Sequence, residues 1–114
     1  MTGEGPVTEN ATATQPANSR YGMCLVRAQI NDADRITNGD VITAAEAYVD
    51  LPPWHPNAVA IPLAAEDGNF NSTSEFVIGN IRSGPGQHMI FLRGRDAAGN
   101  WGPVTAVFSP HANS

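Results

Sequence analysis

Backbone breakers punctuate this chain so densely that a helical fold has little room to form. Glycine occurs 11 times and proline 9 times in 114 residues, and both interrupt regular elements. Within the part expected to fold, only Met23 to Asn38 and Asp40 to Leu51 run long without either. The first alternates like a strand before it turns polar. The second holds Ala44-Ala45-Glu46-Ala47, which suits a helix, together with Val, Ile, Thr and Tyr, which suit a strand. It is read as a strand ended by Asp50-Leu51-Pro52-Pro53, with a partly helical 41–50 as the alternative.

Period-two alternation marks the other segments. Cys24, Val26, Ala28 and Ile30 fall on one face, and Met23, Leu25, Arg27 and Gln29 on the other. Ala58 to Ala65 is a short apolar run that Pro62 confines to a sheet edge. Glu75 to Ile81 is apolar on both faces, with Gly79 marking a bulge or a close approach. His88, Ile90 and Leu92 oppose Met89, Phe91, Arg93 and Arg95. In the final run, Val104, Ala106 and Phe108 are assigned inward.

These runs are separated by turn signals about every 8–12 residues, the pattern of an all-β immunoglobulin-like sandwich of six to seven short antiparallel strands. A small barrel is the competing architecture. The sandwich is placed at 21–109. Residues 1–20 carry one large aliphatic, Val7, and read as a disordered linker or N-terminal arm, from which Val7 and Thr8 can still pair as a short first strand. Residues 110–114 read as a frayed tail.

Composition limits the function. With 6 basic and 11 acidic residues, net charge −5 and no lysine, the chain is a poor match for a nucleic-acid backbone or an anionic membrane surface. No apolar run reaches the roughly 20 residues of a membrane span, so no membrane insertion is expected. Cys24 is the single cysteine, which rules out an internal disulfide and a thiolate zinc cluster. Nucleophile, zinc-hydrolase and phosphate-loop motifs are missing, so no catalytic residue is assigned and the chain is not expected to be an enzyme.

The segment His88-x-Ile90-x-Leu92-Arg93-Gly94-x-Asp96-Ala97-Ala98-Gly99-Asn100-Trp101-Gly102-Pro103 resembles the last hairpin of bacterial immunoglobulin-like or fibronectin-III-like modules. Such modules are appended to secreted hydrolases, notably zinc carboxypeptidases and other exported peptidases. Ile42-Thr43-Ala44-Ala45-Glu46 with Asp50, Glu66-Asp67-Gly68-x-Phe70, and Glu75 with Ile81 are similar too. The likeness covers roughly residues 23–108 and departs between Leu51 and Asn57. It implies a secreted or cell-surface accessory domain whose partners are neighbouring domains of the same polypeptide, monomeric when isolated.

The polar residues admit several readings. His88, at the start of the penultimate strand, is expected to act as a corner, its ring N–H bonding upstream backbone as a tyrosine does in related sandwiches. Asp96, Gly99 and Asn100 are expected to close a hairpin, with Trp101 over its base. Trp54 and His55, on a proline-stiffened loop, are candidates for a contact surface, and the available aromatics for carbohydrate or protein binding are Trp54, Tyr48, Tyr21 and Trp101. Three loops expected at one end of the sandwich carry Asp32, Asp34, Asp67, Asn69, Asn71 and Asp96, an oxygen-rich set that a calcium ion would use. The same residues are ordinary turn formers, and that reading competes with the metal.

Overall fold

The structure, a computed structural model, describes residues 5–14, 23–32, 41–82 and 87–109. Among these there is no helix, hence none long and apolar enough to cross a membrane. Eight strands form: β1 Val7–Thr14, β2 Met23–Asn31, β3 Ile42–Val49, β4 Ile61–Pro62, β5 Ala64–Ala65, β6 Ser74–Arg82, β7 Met89–Asp96 and β8 Thr105–Phe108. They make two four-stranded sheets in the orders β1-β2-β6-β5 and β4-β3-β7-β8, with every pairing antiparallel. This is the immunoglobulin-like arrangement of one sheet from the first, second, fifth and fourth strand positions facing another from the third, sixth and seventh. Here a short extra edge strand, β4, lies beside β3.

The core is the space between the sheets. β2 contributes Cys24, Val26, Ala28 and Ile30, and β6 contributes Val77 and Ile81. Ile42, Ala45 and Ala47 come from β3, and Ile90 and Leu92 from β7. Each long aliphatic side chain taken fully out of water stabilises the fold by roughly 1.5–3 kcal/mol. Segment 41–50 is therefore the strand its β-branched residues favoured, because pairing β3 with β7 buries Ala45 and Ala47 opposite Gly94 and Leu92.

Two glycines let the layers meet. A Cβ on Gly94 would lie 2.3 Å from Ile30 Cγ2, and one on Gly79 would lie 2.5 Å from Leu63 Cδ2. Gly79 thus marks a close approach. Leu63 sits between β4 and β5, where the chain leaves one sheet and joins the other, and its N–H donates to the Ala45 carbonyl at 2.9 Å. Pro62 lies on an edge strand, where its missing N–H costs no ladder bond.

Two expectations are corrected. The first is the N-terminal arm: Gly5 and Pro6 are buried, and Val7–Thr14 pairs with β2 through a bulge between Glu9 and Thr12. The scarcity of large aliphatics there was a poor guide, because β1 is held by main-chain pairing and by small inward groups, Ala11 and Ala13, against the core. A Cβ on Gly102 would lie 1.6 Å from the Pro6 carbonyl oxygen, so Gly5-Pro6 threads a gap that only glycine leaves open. The second is the phase of the last strand. Ala106 and Phe108 are exposed and Val104 is only half-buried ahead of β8, whereas Thr105 and Val107 oppose the inward Leu92 and Ile90. Thr105 faces inward because its hydroxyl donates to the Thr8 carbonyl at 3.2 Å, tying β8 to β1.

Gly94→Ala is expected to destabilise the domain by about 1–3 kcal/mol through overpacking against Ile30. Urea unfolding should show the double variant Ile30→Ala/Gly94→Ala losing less than the sum of the two single losses, since the sites are in direct contact.

Candidate functional site

At one end of the sandwich the chain leaves β3 through Asp50, whose left-handed backbone (φ 65°) is one that Asp tolerates better than most residues. One Asp50 carboxylate oxygen, Oδ2, lies 2.7 Å from His88 Nδ1, and the other accepts the Met89 N–H at 3.2 Å. Ser109 completes the end: its Oγ accepts the His88 N–H at 2.7 Å and its own N–H donates to the His88 carbonyl at 2.7 Å. His88 thus joins two strand ends, its ring meeting the Asp50 carboxylate at the rim of the core, with 27% of its side chain exposed. Sequence marks Asp50, the residue that makes this clamp, only as a strand stop and as part of the resemblance, because its role depends on the fold bringing two strand ends together.

At the other end Asp96 is buried and closes the β7–β8 connection. Its Oδ1 accepts the Asn100 N–H at 2.9 Å, its carbonyl accepts the Gly99 N–H at 3.0 Å, and its own N–H donates to the Asn100 carbonyl at 3.1 Å. Gly99 takes φ 89°, as a turn of this kind requires. The Thr43 hydroxyl reaches across from β3 to the Asp96 carbonyl at 3.2 Å.

The loops that carry the oxygen-rich set are joined at this same end. Asp32 N–H donates to the Thr73 carbonyl, Ile42 N–H to the Ser72 carbonyl and Ala97 N–H to the Val41 carbonyl, each at 2.8 Å. Asp67 Oδ1 accepts the Asn69 N–H at 3.0 Å, an Asx turn, and the Asn71 N–H donates to Glu75 Oε2 at 2.7 Å. Asp34 lies outside the described residues. Among the described residues, no three His, Cys, Asp or Glu side chains come together as a metal-holding group.

The outward face of the β4-β3-β7-β8 sheet carries a stacked cluster. The Arg93 guanidinium carbon lies 4.1 Å from the Trp101 ring centroid and 5.5 Å from that of Tyr48. Arg93 Nη2 donates to the Tyr48 oxygen at 3.1 Å and to Glu46 Oε1 at 3.4 Å, and the Tyr48 hydroxyl donates to Glu46. Trp101 thus packs on the outer side of β7, and it bridges Arg95 at the base of the Asp96–Asn100 turn. Tyr48 is buried, which takes it off the list of aromatics available to a ligand, and Tyr21 lies outside the described residues. Trp54 remains 74% exposed. Its loop is internally braced: His55 N–H donates to the Pro52 carbonyl at 2.9 Å, and His55 Nδ1 accepts the Asn57 N–H at 3.0 Å.

The opposite outer face, on the β1-β2-β6-β5 sheet, carries an aromatic that sequence reasoning missed. Phe76 is 57% exposed and paired across the sheet with Gln29. Two open hollows, of about 220 and 190 Å³, adjoin it. The alternation Phe76, Ile78, Asn80 was the available signal, but with an apolar residue at nearly every position of this run it did not tell which face was outward.

No protein-family model matches the chain, and no curated protein matches it in sequence.

Asp50→Ala should lower stability by about 0.5–1.5 kcal/mol, because the Met89 N–H and the His88 ring lose their bonds to this half-exposed carboxylate. Asp50→Asn, which keeps an acceptor and tolerates the left-handed backbone, should cost less, and paired denaturation curves decide this.

Two groups titrate late. Burial pushes the Cys24 thiol above its ordinary 9.0, and burial together with the Glu46 hydrogen bond pushes the Tyr48 phenol above 10.0 against the opposing pull of Arg93. In both, the unfolded chain loses its proton at lower pH than the folded one. Their contribution to stability is thus complete below the ordinary values and lost as pH rises through the folded ones. Stability should decline on the alkaline side from Cys24's ordinary value of 9.0 upward, and Tyr48→Phe should remove the late phase of the ultraviolet tyrosine titration.

Proposed function

We propose that this chain is a non-catalytic immunoglobulin-like accessory module of a larger secreted or cell-surface protein. By the resemblance of its closing hairpin, that protein is a peptidase, and the module is its spacer, stabiliser or attachment domain. The observation that carries the reading is what the chemically capable side chains do. His88 and Asp50 hold each other, Asp96 holds its own turn, and Glu46, Tyr48 and Arg93 share hydrogen bonds on the outer face. Their hydrogen-bonding capacity goes into keeping strand ends and loops in place, as expected of a scaffold whose work is to stay folded beside other domains.

A second reading, a carbohydrate- or protein-binding module with a structural calcium ion, draws on the 74% exposure of Trp54 on its braced loop and on the convergence of the Asp32, Asp67 and Asp96 loops at one end.

The test uses the full protein that carries this chain. Removing residues 5–109 should leave peptidase turnover per folded molecule within about twofold while lowering thermal stability or surface retention, the effect expected when a neighbouring domain is lost. Peptidase activity in the purified 114-residue chain would overturn the proposal. A melting temperature that rises with millimolar calcium and falls with a chelator would favour the second reading.

A further inference from the structure

We propose that the outer face of the β1-β2-β6-β5 sheet binds a neutral, unbranched oligosaccharide, with Phe76 as its stacking platform. The proposal rests on this face alone and not on what the chain is joined to.

Phe76 lines both hollows. The larger is lined by Glu66, Asp67, Ser74, Glu75 and Phe76. The smaller is lined by Asn10, Thr12, Arg27, Gln29, Glu66 and Phe76, among others. Single exposed aromatics are ordinary on protein surfaces. This one contributes to two concave patches rich in hydroxyl, amide, carboxylate and guanidinium groups, which together offer donors and acceptors in quantity. A pyranose ring matches that combination: its face of weakly positive C–H bonds seats on the negative face of an aromatic ring, while its equatorial hydroxyls point outward to polar groups on either side.

The polar groups are already oriented. Arg27 Nε donates to Glu66 Oε2 at 2.9 Å, Gln29 Nε2 donates to Ser74 Oγ at 2.9 Å, and Asn10 Nδ2 donates to Gln29 Oε1 at 3.4 Å. Asn10 reaches this row because the β1 bulge holds it at φ 53°. Side chains fixed before a ligand arrives lose little freedom on binding; Glu66 Oε2 takes both of its bonds from Arg27, which leaves Glu66 Oε1, Ser74 Oγ and Gln29 Oε1 with acceptor capacity for a sugar hydroxyl.

Charge selects the ligand class. Arg27 offsets Glu66, the larger hollow adds the carboxylates of Asp67 and Glu75, and the net charge of −5 repels polyanions. A neutral hydroxylic chain fits better than a nucleic acid, an acidic polysaccharide or an acidic peptide. Shape selects a polymer. The hollows are open and share Phe76 in their linings, whereas a small-molecule site encloses most of its ligand. A chain lying across Phe76 would place one sugar on the ring and its neighbours in the two hollows.

The test is an amide chemical-shift titration of the isotope-labelled 114-residue chain with cellohexaose and, in parallel, chitohexaose. Saturable shifts at millimolar sugar are expected around Asn10, Thr12, Arg27, Gln29, Glu66 and Phe76. Phe76→Ala should weaken binding about tenfold and Phe76→Trp should retain it, both with the wild-type melting temperature because the side chain lies outside the core. The proposal is overturned by an absence of shifts with both sugars, by shifts confined to Trp54, or by binding that survives Phe76→Ala. Shifts on the same residues that follow protein concentration alone would also overturn it, since they would mark a contact between copies of the chain.

Discussion

The sandwich depends on how closely its two sheets approach at Gly94. Ile30 on β2 projects across the interior into the space that a side chain on β7 would otherwise fill. Sheets packed face to face are held about 10 Å apart by the side chains between them, so a fully buried isoleucine opposite a residue with no side chain lets them close locally. The same device recurs on a smaller scale where Leu63 covers Gly79. Both contacts involve a bulky group from one sheet, or from the crossing between sheets, set against bare backbone on a neighbour. Interiors are packed densely enough that such pairs must be matched in volume, and this matching fixes which residues of β2, β6 and β7 lie opposite one another.

With the layers set, the remaining problem is at the ends, where strands stop and polar backbone must find partners. Here the chain uses side chains sparingly. Asp50 serves a ring nitrogen and a backbone N–H with its two oxygens, and Ser109 both donates to and accepts from His88. Asp96 does the corresponding work at the far end. The stacked cluster of Arg93 on Trp101 and Tyr48 is less economical. It leaves Arg93 Nε buried without an acceptor, a cost of about 1–3 kcal/mol, against roughly 0.5–2 kcal/mol from each cation–π contact. Such a cluster adds little net stability, but it ties β3, β7 and the segment before β8 into one register.

What could be read from the sequence follows from which forces leave local traces. Alternation along Met23 to Ile30 and along Ile90 to Leu92 was legible because each strand buries one face, and the residues assigned inward there are buried. The hairpin at Asp96 to Asn100 was legible because its turn chemistry is local. The phase of β8 was not. Its four residues follow Gly102-Pro103, and a single long-range bond from Thr105 to β1 decides which face turns in. β1 escaped for a different reason: most of its holding comes from main-chain pairing with β2, the next strand, and such pairing leaves no apolar pattern. Gly94 carried no sign of its role, because the residue that needs its emptiness is Ile30, 64 positions earlier by the difference 94 − 30.

The same logic separates the two outer faces. On the β4-β3-β7-β8 sheet, Glu46, Tyr48, Arg93 and Trp101 engage one another through stacked rings and shared hydrogen bonds, and Tyr48 is closed off from solvent. A ligand arriving there would have to break contacts before making any. On the β1-β2-β6-β5 sheet the polar side chains are also linked, but in a single row along the surface, and the aromatic beside them is left uncovered. Displacing water from such a row costs little where the incoming groups reproduce its hydrogen bonds. Two sheets with similar inward chemistry thus differ in what their outward residues leave available, and that difference, rather than the shared fold, is where a binding function has room to arise.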